Sequence, residues 1–101
     1  MNENKNSVTV LISLNIQEGK MALAKKALTT VSKTVLEKEK GCLAIRIHEN
    51  PHRLLIVEHW DSKDTFLGSH MQTAYGAAFR QKSTTFIDGK PSFEFWEEIK
   101  F

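Results

Sequence analysis

Apolar and polar positions alternate along residues 8–16: Val8, Val10, Ile12 and Leu14 fall on one side, Thr9, Leu11, Ser13 and Asn15 on the other. A period of two with β-branched residues predicts a strand with one apolar face, and Leu11 marks the second face as one that also meets something. Over residues 17–40 the period changes. Ala24, Ala27, Leu28, Val31 and Val35 recur at steps of three and four with lysines between them, which predicts an amphipathic helix laid on a core. Gly41 is expected to stop it as a left-handed cap. Leu43, Ile45 and Ile47 then alternate with Ala44, Arg46 and His48 as a second strand. Asn50-Pro51-His52 is a turn signal, and 53–60 is a third strand, so the two strands form a hairpin.

Asp61-Ser62 offers an N-cap to a short helix ending near Gly68. Ser69 with Gln72 has the spacing of a capping box for another helix, which carries Met71, Tyr75, Ala78 and Phe79 and ends by Thr84. Asp88-Gly89-Lys90-Pro91 reads as a loop, and 92–99 as an aromatic last strand with Phe93, Phe95 and Trp96. Residues 1–7 are polar and are expected to be disordered, leaving 8–101 as one domain. The order strand, helix, strand, strand, helix, strand is the βαββαβ arrangement of a ferredoxin-like α+β fold. Helices then cover one face of an antiparallel sheet. The other face is expected to carry Leu11, Leu55, Val57, Phe93, Phe95 and Ile99, an apolar patch of the kind that marks an interface, and sheet-to-sheet homodimerisation is its natural solution.

Composition narrows the classes. At 101 residues the chain fits one domain with a modest core. Net charge is +2, and the lysines are mixed with glutamates rather than gathered on one face, which argues against a nucleic-acid partner. No apolar run approaches the roughly 18 residues of a membrane span, and the polar start has no apolar segment for a signal peptide. The single Cys42 cannot form an intramolecular disulfide. These features point to a reducing, cytoplasmic setting.

The chemistry-bearing residues are few. His48, His52, His59 and His70 do not form a helical zinc-site signature, and there is no phosphate-cradling glycine loop or nucleophile elbow, so neither a metal nor a nucleotide cofactor is expected. Cys42 reads as a small buried hydrophobe. Glu58 and Trp60 share a strand face with Leu54 and Ile56, the helix-covered one. A carboxyl there needs a partner or a raised pKa; it is a pocket acid or base, or a sheet-end carboxylate bonded to a backbone amide or helix terminus. Trp60 either packs the core or forms a wall for a flat ligand. His70 stands at an expected helix start, where the neutral imidazole is favoured, which suits a general base; the bland alternative is an exposed helix-start histidine. Tyr75 and Phe79 are core stripe or ligand wall. His59 points to the opposite face, toward the expected dimer interface.

Three segments carry a resemblance: Gly41-Cys42-Leu43 leading into the second strand, Glu58-His59-Trp60 at the end of the third, and His70-Met71-Gln72-Thr73 at a helix start. Together, over 8–99, the chain resembles the antibiotic biosynthesis monooxygenase (ABM) family of dimeric α+β barrel proteins. The resemblance implies a sheet-face homodimer and a pocket between sheet and helices. It also implies cofactor-free oxygenation of a small or polycyclic phenol, quinol or anthrone, with the substrate supplying the electrons. On that reading His70 is the base with Glu58 as its alternative, and Trp60, Tyr75 and Phe79 line the substrate. A non-catalytic dimer that binds a small aromatic ligand is the second reading. The haem-degrading branch fits poorly. Its iron-ligating histidine falls at Phe79-Arg80, its distorting tryptophan near Ser69 or His70, and its first-strand asparagine near Ile12, so haem is not expected as a ligand.

Overall fold

A computed structural model describes residues 7–101. The expectation for residues 1–7 therefore lies, Ser7 apart, outside the described residues. In order, the elements are β1 (Val8–Asn15), α1 (Met21–Lys38), β2 (Cys42–Glu49), β3 (Arg53–Trp60), α2 (Lys63–Leu67), a 3-10 turn (Ser69–Gln72), α3 (Ala74–Ser83) and β4 (Ser92–Trp96). The strands form one antiparallel sheet in the order β2-β3-β1-β4. This is the βαββαβ ferredoxin-like arrangement, with α2, the 3-10 turn and α3 together in the place of the second helix.

Local chemistry accounts for the joints. Asn50 Oδ1 accepts from the backbone N–H of His52 at 3.0 Å and of Arg53 at 2.8 Å, which closes the β2–β3 hairpin. Ser62 caps α2 by accepting from the Thr65 N–H at 3.0 Å. The expected capping box at Ser69 and Gln72 does not form; those residues make the 3-10 turn, and its preceding residue, Gly68, offers no side chain. Thr73 breaks the chain direction with an extended backbone and caps α3 itself, accepting from the Gly76 N–H at 3.1 Å. Gly41 is also not the left-handed cap expected of it. Glu39 terminates α1, and Gly41 does not have a positive φ. The reason for glycine there is close approach: a Cβ would stand 2.7 Å from Thr65 Cγ2, while its carbonyl accepts from the Asp61 N–H at 2.8 Å.

The helical segments pack on one sheet face, and two clusters fill it. At one end Leu14, Ile16, Leu28, Leu54, Ile56 and Phe86 bury together under the first half of α1. At the other end Val8, Val10, Val35, Cys42, Trp60 and Phe66 do so. Trp60, Phe66, Phe86, Leu54 and Val10 are essentially sealed from solvent, and burying a side chain of this kind contributes roughly 1.5–3 kcal/mol.

The far face differs from expectation at β4. Val10 pairs with Phe95 and Ile12 with Phe93, so both phenylalanines lie on the helix-covered face, where each meets the ring of Phe66. The strand stops at Trp96, and Ile99 beyond it is exposed. The outer face instead carries Leu11, Leu55, Val57 and Trp96, with Thr9 and His59 hydrogen-bonded across it at 3.0 Å. Among the described residues no helix is long and apolar enough to cross a membrane.

Candidate functional site

Between the two clusters, sheet and helices leave a cavity of about 240 Å³. Its wall is apolar, built from Ile12, Ile45 and Ile56 of the sheet, Leu28, Val31 and Val35 of α1, and Phe66, Phe79 and Phe93. Polar groups enter at few places: Glu58 and His70 at the Trp60 end, Ser32 of α1, and Arg80 and Ser83 of α3.

The period-two alternation of β3 puts Glu58 on the helix-covered face, and it is only 8% exposed. Trp60, next on the same face, donates from Nε1 to Glu58 Oε1 at 2.8 Å. Burial pushes the Glu58 carboxyl above its ordinary 4.5, and the charge of Glu39 adds to this; the Trp60 N–H and His70 oppose it. The result is a carboxyl biased toward its protonated form, with Oε2 free of protein partners among the described residues.

His70 is carried by the 3-10 turn rather than by the start of a long helix, so a helix terminus is not what sets its state. Its ring lies 4.5 Å from that of Trp60 and stacks on Phe66 at 5.2 Å. Nδ1 stands 3.0 and 3.1 Å from the two oxygens of Glu39. Glu39 also accepts from the Tyr75 hydroxyl at 2.5 Å. Burial, together with that carboxylate, pushes the Tyr75 phenol up to about 12, which keeps it a donor. With Nδ1 engaged, Nε2 is the His70 nitrogen left without a protein partner among the described residues.

The structure thus brings Glu58, His70 and Phe79 to the cavity wall. Trp60 is fully buried behind them, touching both polar groups, and Tyr75 reaches Glu39 rather than the cavity. Cys42 is buried, with its thiol pushed up to about 12 by desolvation and by Glu58, as suits a packing residue.

Sequence reading missed Glu39, Ser32, Phe66, Arg80 and Phe93. Glu39 had a signal: it follows Val35 by four residues and so continues the apolar stripe of α1. Ser32 likewise sits on that stripe, buried among Leu28 and Val35. Among the described residues no group of three or more His, Cys, Asp or Glu side chains is placed to hold a metal ion.

Comparison with solved structures gives the same architecture throughout. A candidate antibiotic biosynthesis monooxygenase from Caulobacter crescentus CB15 superposes with a TM-score of 0.86 at 22% identity, covering 95% of this chain and 92% of that one. A second, from Nitrosomonas europaea, gives 0.85 at 13% identity, over 98% and 96% of the two chains. A conserved protein of unknown function from Bacteroides thetaiotaomicron gives 0.80 at 20% identity, over 93% and 99%. At such identities these likenesses show the fold. No curated protein matches the chain. The sequence profile of one family, however, matches residues 7–82, most of the chain and every element through the body of α3: the protein belongs to the antibiotic biosynthesis monooxygenase family.

Proposed function

We propose that the protein is a cofactor-independent monooxygenase acting on a small aromatic substrate, a phenol, quinol or anthrone. One observation carries this reading. Two titratable groups, Glu58 and His70, each keeping one atom without a protein partner among the described residues, line the Trp60 end of a mostly apolar cavity. A few polar groups in an apolar pocket orient a flat ligand by its oxygen. The volume of about 240 Å³ lies below the roughly 300–1,000 Å³ of sites for drug-sized ligands, which favours the smaller members of this substrate class.

The chemistry follows from the groups present. His70 Nε2 removes a proton from the phenol or from an activated CH position. The resulting anion passes one electron to dioxygen, and the radical pair combines to form a carbon–oxygen bond. The Glu58 carboxyl, whose burial favours its protonated form, hydrogen-bonds the developing oxyanion and delivers the proton that makes the hydroperoxide. Loss of water, with the second hydrogen leaving the same carbon, gives the carbonyl. One substrate CH₂ and one O₂ become one C=O and one water, and both extra electrons come from the substrate. The test is oxygen uptake with reduced naphthoquinols and anthrones, in chelator and without flavin. One O₂ consumed per product is expected. No uptake across the panel, with ligand binding retained, would replace this reading with a binding protein of the same fold.

The second part of the proposal is a homodimer through the outer sheet face. Leu11, Leu55, Val57 and Trp96 have no covering layer in one chain, and Leu55 and Trp96 are exposed by 37% and 56%. Light scattering should give a dimer for the protein and a smaller species for Leu55→Lys. A monodisperse species of 11.5 kDa at micromolar concentration would refute it. Phe95→Lys would not serve, because Phe95 belongs to the helix-covered core.

A further inference from the structure

Glu39 is only 11% exposed at its side chain and has no lysine or arginine within ion-pair distance among the described residues. It lies just past the end of α1, where a carboxylate gains nothing from the helix dipole. Its oxygens are nevertheless filled from two other elements: the 3-10 turn through His70 Nδ1 and α3 through the Tyr75 hydroxyl. The Tyr75 hydroxyl donates to Glu39 Oε2 at 2.5 Å and so ties down the same carboxylate, and the stacking of His70 on Phe66 and against Trp60 fixes the ring plane. A carboxylate can only accept, so an imidazole nitrogen facing it must carry the hydrogen. That leaves the lone pair of a neutral His70 on Nε2.

We infer that Glu39 is a positioning residue which, braced by Tyr75, holds His70 in the Nδ1–H tautomer and aims the unprotonated Nε2 at the cavity. The inference rests on the reading of His70 as the base that takes the substrate proton. It adds what makes the base usable: without Glu39 the imidazole can rotate or place its hydrogen on Nε2, where it cannot accept one. Glu39 also supplies the negative charge that balances the imidazolium once the proton has moved, as the third member of a nucleophile-base-carboxylate triad does for its histidine. The other titratable groups facing the ring are Glu58 from β3 and Tyr75 from α3.

The tautomer is measured directly by long-range ¹H–¹⁵N correlation on uniformly labelled full-length protein at about pH 8, above the ordinary imidazole range. His70 in the wild type should show a protonated Nδ1 and a bare Nε2. Glu39→Gln, whose amide can donate as well as accept, should lose that pattern; Tyr75→Phe should keep it with a weakened Nδ1–H bond. Any other wild-type state, either Nε2–H or a doubly protonated ring, overturns the inference without need of a variant. An unchanged pattern in Glu39→Gln overturns it as well. In oxygen uptake, Glu39→Gln should lower kcat by roughly 10²-fold with KM held, as a misplaced reacting group does, and should alter the pH–rate profile. A fall confined to KM would contradict it. If the wild type consumes no oxygen, the oxygenase reading fails, and the tautomer measurement still decides the role of Glu39.

Discussion

The two ends of the helix-covered core share β1, β3 and α1, yet they are different materials. At the Leu14–Leu28–Phe86 end the buried cluster is apolar, and its side chains close on one another. At the Trp60–Phe66 end the aromatic packing is threaded with two carboxyls, an imidazole and a phenol. Buried polar groups cost free energy unless each finds a partner. Here nearly all do: Trp60 with Glu58, His70 and Tyr75 with Glu39. The exceptions among the described residues, Glu58 Oε2 and His70 Nε2, belong to two residues that line the cavity. A fold can thus keep one end of its core for stability and accept incomplete satisfaction at the other, where a ligand would complete it.

Truncations separate the two ends most strongly. Leu54→Ala, in the dry end, should destabilise by about 2–5 kcal/mol through the cavity it leaves, and Trp60→Ala by about 3–5 kcal/mol. The distinction lies in what else changes. Trp60→Ala also removes the donor to Glu58 and the wall behind His70, so its activity should fall well beyond the unfolded fraction. Leu54→Ala should keep the specific activity of its folded population. Urea midpoints read together with oxygen uptake at a temperature where both variants are folded would show this; equal specific activities would erase the contrast.

How much of this was legible follows the range of the interactions. The stripe of α1 and the alternation of β3 are local, so the faces of Ala24, Leu28, Val35, Leu54, Ile56, Glu58 and Trp60 could be read from spacing alone. Family-like segments around Gly41, Glu58 and His70 pointed to the same fold. The face of β4 could not be read, because Phe93 and Phe95 alternate with a tryptophan that is equally at home in a core. Only pairing with β1, Val10 to Phe95, decides between the faces. The capping-box spacing of Ser69 and Gln72 predicts one helix from there on; Thr73, a stronger cap one turn later, starts α3 instead. The Glu39 clamp spans 31 residues to His70 and 36 to Tyr75. In the sequence Glu39 looks like one more member of a solvated Lys/Glu run, and only the continuation of the stripe from Val35 betrays it.

A smaller effect separates the ends by pH. Burial raises the folded-state carboxyl of Glu58 above its ordinary 4.5. Between 4.5 and that folded value the unfolded chain has released its proton while the folded chain still holds it. Stability conferred by the group is therefore full in acid and is lost as pH rises through that window, at about 1.4 kcal/mol for each unit of the raise. Glu58→Gln, which keeps an oxygen for Trp60, should remove this slope and stabilise the protein at neutral pH. The readout is the difference in urea midpoints between the two proteins from about pH 4 to about pH 8. Parallel curves would mean that the polar end bears no such strain.

The claim that this polar end is a working site is tested most directly by the rate of oxygen uptake of His70→Ala beside the wild type, with folding checked by far-UV circular dichroism. Removal of a positioned base should lower the rate roughly 10²–10⁴-fold in protein that is still folded at the assay temperature. Uptake at the wild-type rate by the folded His70→Ala protein would contradict it.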